Sequence, residues 1–109
     1  MLGLGRIWSF GWVAALAGFA AATTASAAPP AGENLAERVC SQCHAVKRGE
    51  TSKNPNAPPF AQLASEPSIT QYSLRVFLRT PHSKMPNFIL KPDEIDEVTS
   101  YILSLKRGP

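Results

Sequence analysis

The 109-residue chain holds only two cysteines, two histidines and two methionines. So few cysteines exclude a disulfide framework. A structural zinc site wants four protein ligands at paired spacings, and two Cys with two His in this arrangement do not supply them. Charge is also scarce: 17% of residues are Asp, Glu, Lys or Arg, and the formal net charge is +3, a balance that argues against nucleic acid as a partner. No internal repeat is visible, and nothing resembles a run of strands. At this length the chain makes one domain at most.

One long apolar run does exist. Residues 7–22 hold a single polar side chain and no charge, behind a short start carrying Arg6 and ahead of Ala25-Ser26-Ala27. These are the three parts of an export signal, with cleavage expected after Ala27. A run of about 16 apolar residues falls short of the ~20 needed to span a bilayer, so an anchor left by an uncleaved signal is the alternative. Cleavage leaves residues 28–109, removes Arg6 and both Trp, and lowers the charge to +2. So small an exported domain has a thin core, and such domains add disulfides, metals or cofactors.

Within 28–109 the fold reads as all-α, with about three main helices and long loops. Leu35, Ala36, Val39 and Cys43 fall on one face of a first helix over 32–43. Residues 45–60 carry Gly49, Pro55, Pro58, Pro59 and two Asn without apolar periodicity, and read as a loop. A second helix is expected to start at Ser68, where Ser68-Ile69-Thr70-Gln71 has the form of a capping box, and to end before Pro81. The third starts at Pro92, with Asp93 and Glu94 in its first turn. It carries the stripe Ile95, Val98, Tyr101, Ile102 and Leu105, and is expected to close over Lys106, Arg107 and Gly108.

The chemistry sits in Cys40-Ser41-Gln42-Cys43-His44, the C-x-x-C-H attachment site of c-type haem. Each thiol adds to a vinyl group, and His44 becomes the proximal iron ligand. Competing readings are a local disulfide, a redox C-x-x-C and half a zinc site. The redox motif wants a βαβ setting that is missing here. A clip across so short a loop would constrain the unfolded chain little. Haem, by contrast, places a large apolar body at the centre of a thin core. The sixth ligand comes from Met85, His82 or a lysine. Met85 is the only methionine left after cleavage, and Lys84-Met85-Pro86-Asn87-Phe88 stiffens the chain just behind it. A thioether is a soft, neutral donor that raises the potential and suits electron transfer. His82 otherwise reads as a surface loop residue.

Gly32 eight residues before Cys40, the C-x-x-C-H run, a proline in the following loop, Met85-Pro86-Asn87-Phe88 and the closing Tyr101-Ile102-Leu103-Ser104-Leu105 together resemble the class I c-type cytochromes, in their small bacterial monohaem periplasmic form. The resemblance covers the whole of 28–109. It implies a cytochrome c-like fold around one covalently attached haem c, with Cys40, Cys43, His44, Met85 and Pro58 as the cofactor-binding residues and His44 and Met85 as the iron ligands. It also implies that Gly32 permits a close crossing of the first and last helices near Tyr101. The resemblance further implies a proline carbonyl that accepts the His44 Nδ1 hydrogen, matched here by Pro58 with Pro59 as runner-up. Two features depart from the pattern: Ala36 stands where many relatives carry an aromatic, and no Trp remains for a haem propionate. Tyr72, Arg75 and Arg79 are the candidates for that contact.

The function so implied is electron transport: a periplasmic carrier cycling Fe(III)/Fe(II), not an enzyme. The alternative is a haem-based sensor or peroxidase-like protein whose Met ligand is displaceable or absent. Its partners would be redox proteins, a dehydrogenase or a terminal oxidase or reductase, with the chain a monomer or a subunit of a redox complex. With the signal cleaved no stable membrane insertion is expected. Lys47, Arg48, Lys53 and Lys84 lie near the two halves of the site in sequence and are candidates for steering an acidic partner.

Overall fold

The computed structural model describes residues 30–106, together with Gly3, Gly5, Gly11, Gly18 and 20–23. Most of the expected export signal, its expected cleavage site, and Arg107 and Gly108 lie outside the described residues. Four helical elements and no strands are present among the described residues: α1 (Ala31–Leu35), which runs directly into a π-helical stretch over Ala36–Cys40, α2 (Phe60–Ser65), α3 (Gln71–Arg79) and α4 (Pro92–Ser104). None of the described helices is long and apolar enough to cross a membrane.

The first helix stops at Cys40, three residues earlier than its apolar spacing predicts, because its hydrogen bonding widens before the motif. Ser41 donates its N–H five residues back, to the Ala36 carbonyl, at 2.9 Å, and His44 then closes a separate turn onto the Cys40 carbonyl at 2.9 Å. π-Helical turns of this kind often mark functional positions. This one hands the chain from a packed helix to the turn that carries Cys43 and His44.

α3 begins two residues later than expected. Thr70, not Ser68, is its cap: the Thr70 hydroxyl accepts from the Ser73 N–H at 3.1 Å, and the Ser73 hydroxyl accepts from the Thr70 N–H at 2.8 Å. The reason is apolar. A cap at Thr70 puts Ile69 just before it and Leu74 at the fourth helical position, the pair of positions used by a hydrophobic staple. Leu74 is buried in the core and Ile69 packs against it. A cap at Ser68 would have put Pro67 and exposed Tyr72 in those positions.

α2 falls between two elements that the sequence delimits and was not anticipated. It is six residues long, too short for an amphipathic pattern or for stability of its own, and it is held by burial of Phe60 and Ala64. α4 carries its expected stripe: Ile95, Val98, Tyr101, Ile102 and Leu105 are all buried. Its end differs from expectation. The helix stops at Ser104, and the carbonyls of Ser104, Leu105 and Lys106 accept hydrogen bonds from the Arg48 guanidinium at 3.1, 3.3 and 3.4 Å. A cation at a helix C-terminus is favoured by the dipole and satisfies the unpaired carbonyls.

α1 and α3 both pack on α4. At the α1 crossing, a Cβ on Gly32 would collide with the backbone carbonyl of Glu97 and lie 2.8 Å from the Tyr101 Cβ. The Tyr101 hydroxyl, buried beneath that crossing, donates to the Val46 carbonyl at 2.7 Å. The loop after the C-x-x-C-H motif is thereby tied to α4 at two places, Val46 and Arg48. Ala36 is fully buried in the same cluster.

Candidate functional site

Leu74, Leu78, Val98 and Ile102 on α3 and α4, with Val39 at the end of the first helix, line one side of an apolar cavity of about 670 Å³ that includes its open mouth. Cys40, His44 and Phe60 form another wall, and the 82–90 segment, with His82, Met85, Pro86 and Phe88, closes it. An adjoining space of about 950 Å³ shares His44, Leu63, Phe77, His82, Met85 and Pro86, and adds Cys43, Pro58 and Lys84. All five residues expected to bind the cofactor therefore border one connected space. Its lining is mostly apolar with a few polar groups, the character typical of ligand pockets.

His44 is fixed on two sides. Its Nδ1 lies 2.7 Å from the Pro58 carbonyl oxygen, and its ring lies against that of Phe60 with centroids 5.3 Å apart. A carbonyl only accepts, so Nδ1 carries the proton and Nε2 keeps its lone pair. A ligating imidazole is commonly oriented by such a contact. The carbonyl is that of Pro58; Pro59 instead leads into α2.

Both cysteines are free thiols and half-buried. Burial pushes the Cys40 thiol up to about 11 from an ordinary 9.0, so Cys40 stands protonated at neutral pH beside the apolar wall. The donor set suits a large apolar macrocycle: two thiols, an oriented imidazole and a thioether all border the space, among aliphatic side chains. Phe77 and Phe88 line the cavity with 48% and 39% of their surface still exposed, apolar area that such a group would cover. The residues present fit a covalently attached haem.

Other sequence expectations are redistributed. Arg75 is committed to Asp96, Nε to Oδ1 at 2.7 Å, joining α3 to α4; Tyr72 and Arg79 are exposed on α3. Lys47 pairs with Glu37 and, at 4.0 Å, with Glu33, and the Glu37 carboxylate beside it holds its ammonium above the usual lysine range. Arg48 forms no ion pair but is spent on the carbonyls at the end of α4, which leaves Lys53 and Lys84 as the candidate steering cations with neither an ion pair nor such a bond among the described residues. His82, expected on the surface if it is not a ligand, is placed otherwise. It is half-buried, borders both cavities, and lies against Phe77 with ring centroids 3.7 Å apart. No local signal marks this, because it depends on how the loop folds back onto α3.

The protein-family model described as Cytochrome c matches residues 30–106. No curated protein and no solved structure matches the chain.

Proposed function

The chain belongs to the cytochrome c family, and we propose that it is a periplasmic electron carrier whose haem iron is held by His44 and Met85. The family implies haem-based electron transfer; the ligand pair and the compartment are our reading. A bound haem c supplies a one-electron Fe(III)/Fe(II) couple. The chain supplies everything around it. Cys40 and Cys43 tether the group, and the Pro58 carbonyl holds the Nδ1 proton of His44, so that Nε2 stays available and the imidazole stays basic. Met85 offers a neutral, soft sulfur that favours the reduced state and raises the potential. The aliphatic residues of α3 and α4 exclude water.

The observation that carries this reading is that His44, its proton fixed on Pro58, and Met85 border the same apolar cavity. With two protein ligands on the iron no bond in a substrate need be broken, and the protein's part is to set the potential and present the group to partners. Residues 1–27 are proposed to direct export, after which haem attachment takes place. The partners proposed are redox proteins, a dehydrogenase or a terminal oxidase or reductase, with Lys84 at the mouth of the cavity attracting an acidic docking face.

Optical spectra of the exported protein, made in cells with haem-attachment machinery, test the reading. Sharp reduced bands of a c-type haem, with a weak far-red band of ferric iron bound to sulfur, are expected. A haem spectrum that never shows the far-red band would overturn Met85 as ligand, and a protein without haem would overturn the whole reading.

A further inference from the structure

We propose that His82 is a second donor, which would ligate the haem iron together with His44 whenever Met85 is withdrawn. This rests on the haem reading above. His82 Nε2 is buried and has no hydrogen-bond partner, the only such side-chain atom among the described residues. A buried polar atom left unpaired forfeits its hydration without return, and one that persists in a native fold asks for an explanation, of which a missing partner such as an ion is one.

The rest of the ring fits a metal ligand. His82 Nδ1 lies 2.8 Å from the Thr80 carbonyl oxygen, so the proton sits on Nδ1 and the buried Nε2 presents its lone pair. That is the arrangement of His44 on Pro58: both histidines anchor Nδ1 on a backbone carbonyl, and both border the two cavities. Phe77 holds the His82 ring in place, with an angle of 34° between the planes. His82 and Met85 are three residues apart, on either side of the turn at 83–84, so exchanging one donor for the other re-aims a short loop and leaves the helices in place.

The exchange breaks the iron–sulfur bond and forms an iron–nitrogen bond. No proton or electron moves, because Nδ1 keeps its hydrogen on Thr80. Thioether sulfur favours the reduced iron and raises the potential, so the imidazole competes best in the oxidised protein. Withdrawal of Met85 therefore lowers the potential without opening the iron to outside ligands.

The test compares haem-loaded Met85→Ala with Met85→Ala/His82→Ala, both oxidised. The single variant is expected to remain six-coordinate and low-spin. Because its own imidazole occupies the position, added imidazole should bind at least about tenfold more weakly than to the double variant, which should be high-spin. A high-spin single variant with the affinity of the double variant overturns the proposal, and so does a double variant that stays low-spin, as a lysine ligand would leave it. Met85→Leu and Met85→Leu/His82→Ala, which better preserve volume, make the same comparison if the alanine variants do not accumulate. Failure of the haem reading is separately visible: the unaltered protein would then carry no haem through a denaturing gel.

Discussion

Gly32 on α1 and Glu97 on α4 meet backbone to backbone, so closely that a single added carbon on Gly32 would overlap the Glu97 carbonyl. That contact sets the angle between the first and last helices, and with it the position of the Cys40–His44 segment that follows α1. A backbone carbonyl in a helix cannot swing aside as a flexible side chain would.

Gly32→Ala should therefore destabilise the protein. Alanine gains about 1 kcal/mol of helix propensity over glycine, but overpacking typically costs about 1–3 kcal/mol and occasionally more. Here the obstacle is main chain, so the high end applies. A net loss of about 2 kcal/mol is expected in denaturant unfolding of the haem-loaded protein, and an unchanged midpoint would contradict the close crossing.

Replacing both Cys40 and Cys43 by Ala should abolish covalent attachment. Haem staining after denaturing electrophoresis reads this directly: the band of the unaltered chain should vanish in the double variant, while either single variant should retain part of it.

Met85→Ala should keep haem attached through the two cysteines, lose the far-red band, and lower the reduction potential. Axial ligands act over a span of about 0.8 V, and a drop on the order of 100 mV is expected on loss of the thioether. Redox titration checks it; an unchanged potential would remove Met85 from the iron.

Tyr101 ties the α1/α4 crossing to the loop, and its ionisation gives a pH dependence with a definite sign. Burial, with Glu33 adding to it, raises its pKa above the ordinary 10.0, and the hydroxyl is the donor to Val46. A group whose folded pKa is raised contributes its stability in full below its unfolded pKa and loses it as pH rises towards the folded value. Stability should thus decline above about pH 10. Tyr101→Phe should remove that part of the decline and cost about 1 kcal/mol at neutral pH, as measured by denaturant unfolding across the pH range.

Much of the candidate site was legible because its signals are local. Five consecutive residues, Cys40 to His44, form the attachment motif, and Met85, followed by Pro86, is the only methionine beyond position 27. α4 was legible from Pro92 and its stripe, since Ile95, Val98, Tyr101 and Ile102 recur at helical spacing over a thirteen-residue helix. α2 was not, because six residues hold too few turns to show a period. The cap of α3 was misread for a related reason: Ser68 and Thr70 are both competent caps, and the choice between them rests on which apolar pair reaches the core.

The sequence by itself determined the helical class, the haem-attachment motif and the short set of candidate ligands, since each depends on residues close together in the chain. Only the tertiary structure decided that Arg48 closes α4 and Lys47 pairs with Glu37, that Arg75 joins Asp96, and that His82, with its buried unpaired nitrogen, borders the same cavity as His44 and Met85. Those outcomes depend on partners tens of positions apart or on how a loop lies against a helix. Residue type limits what a side chain can bond, and the packing of the helices selects the bond it makes.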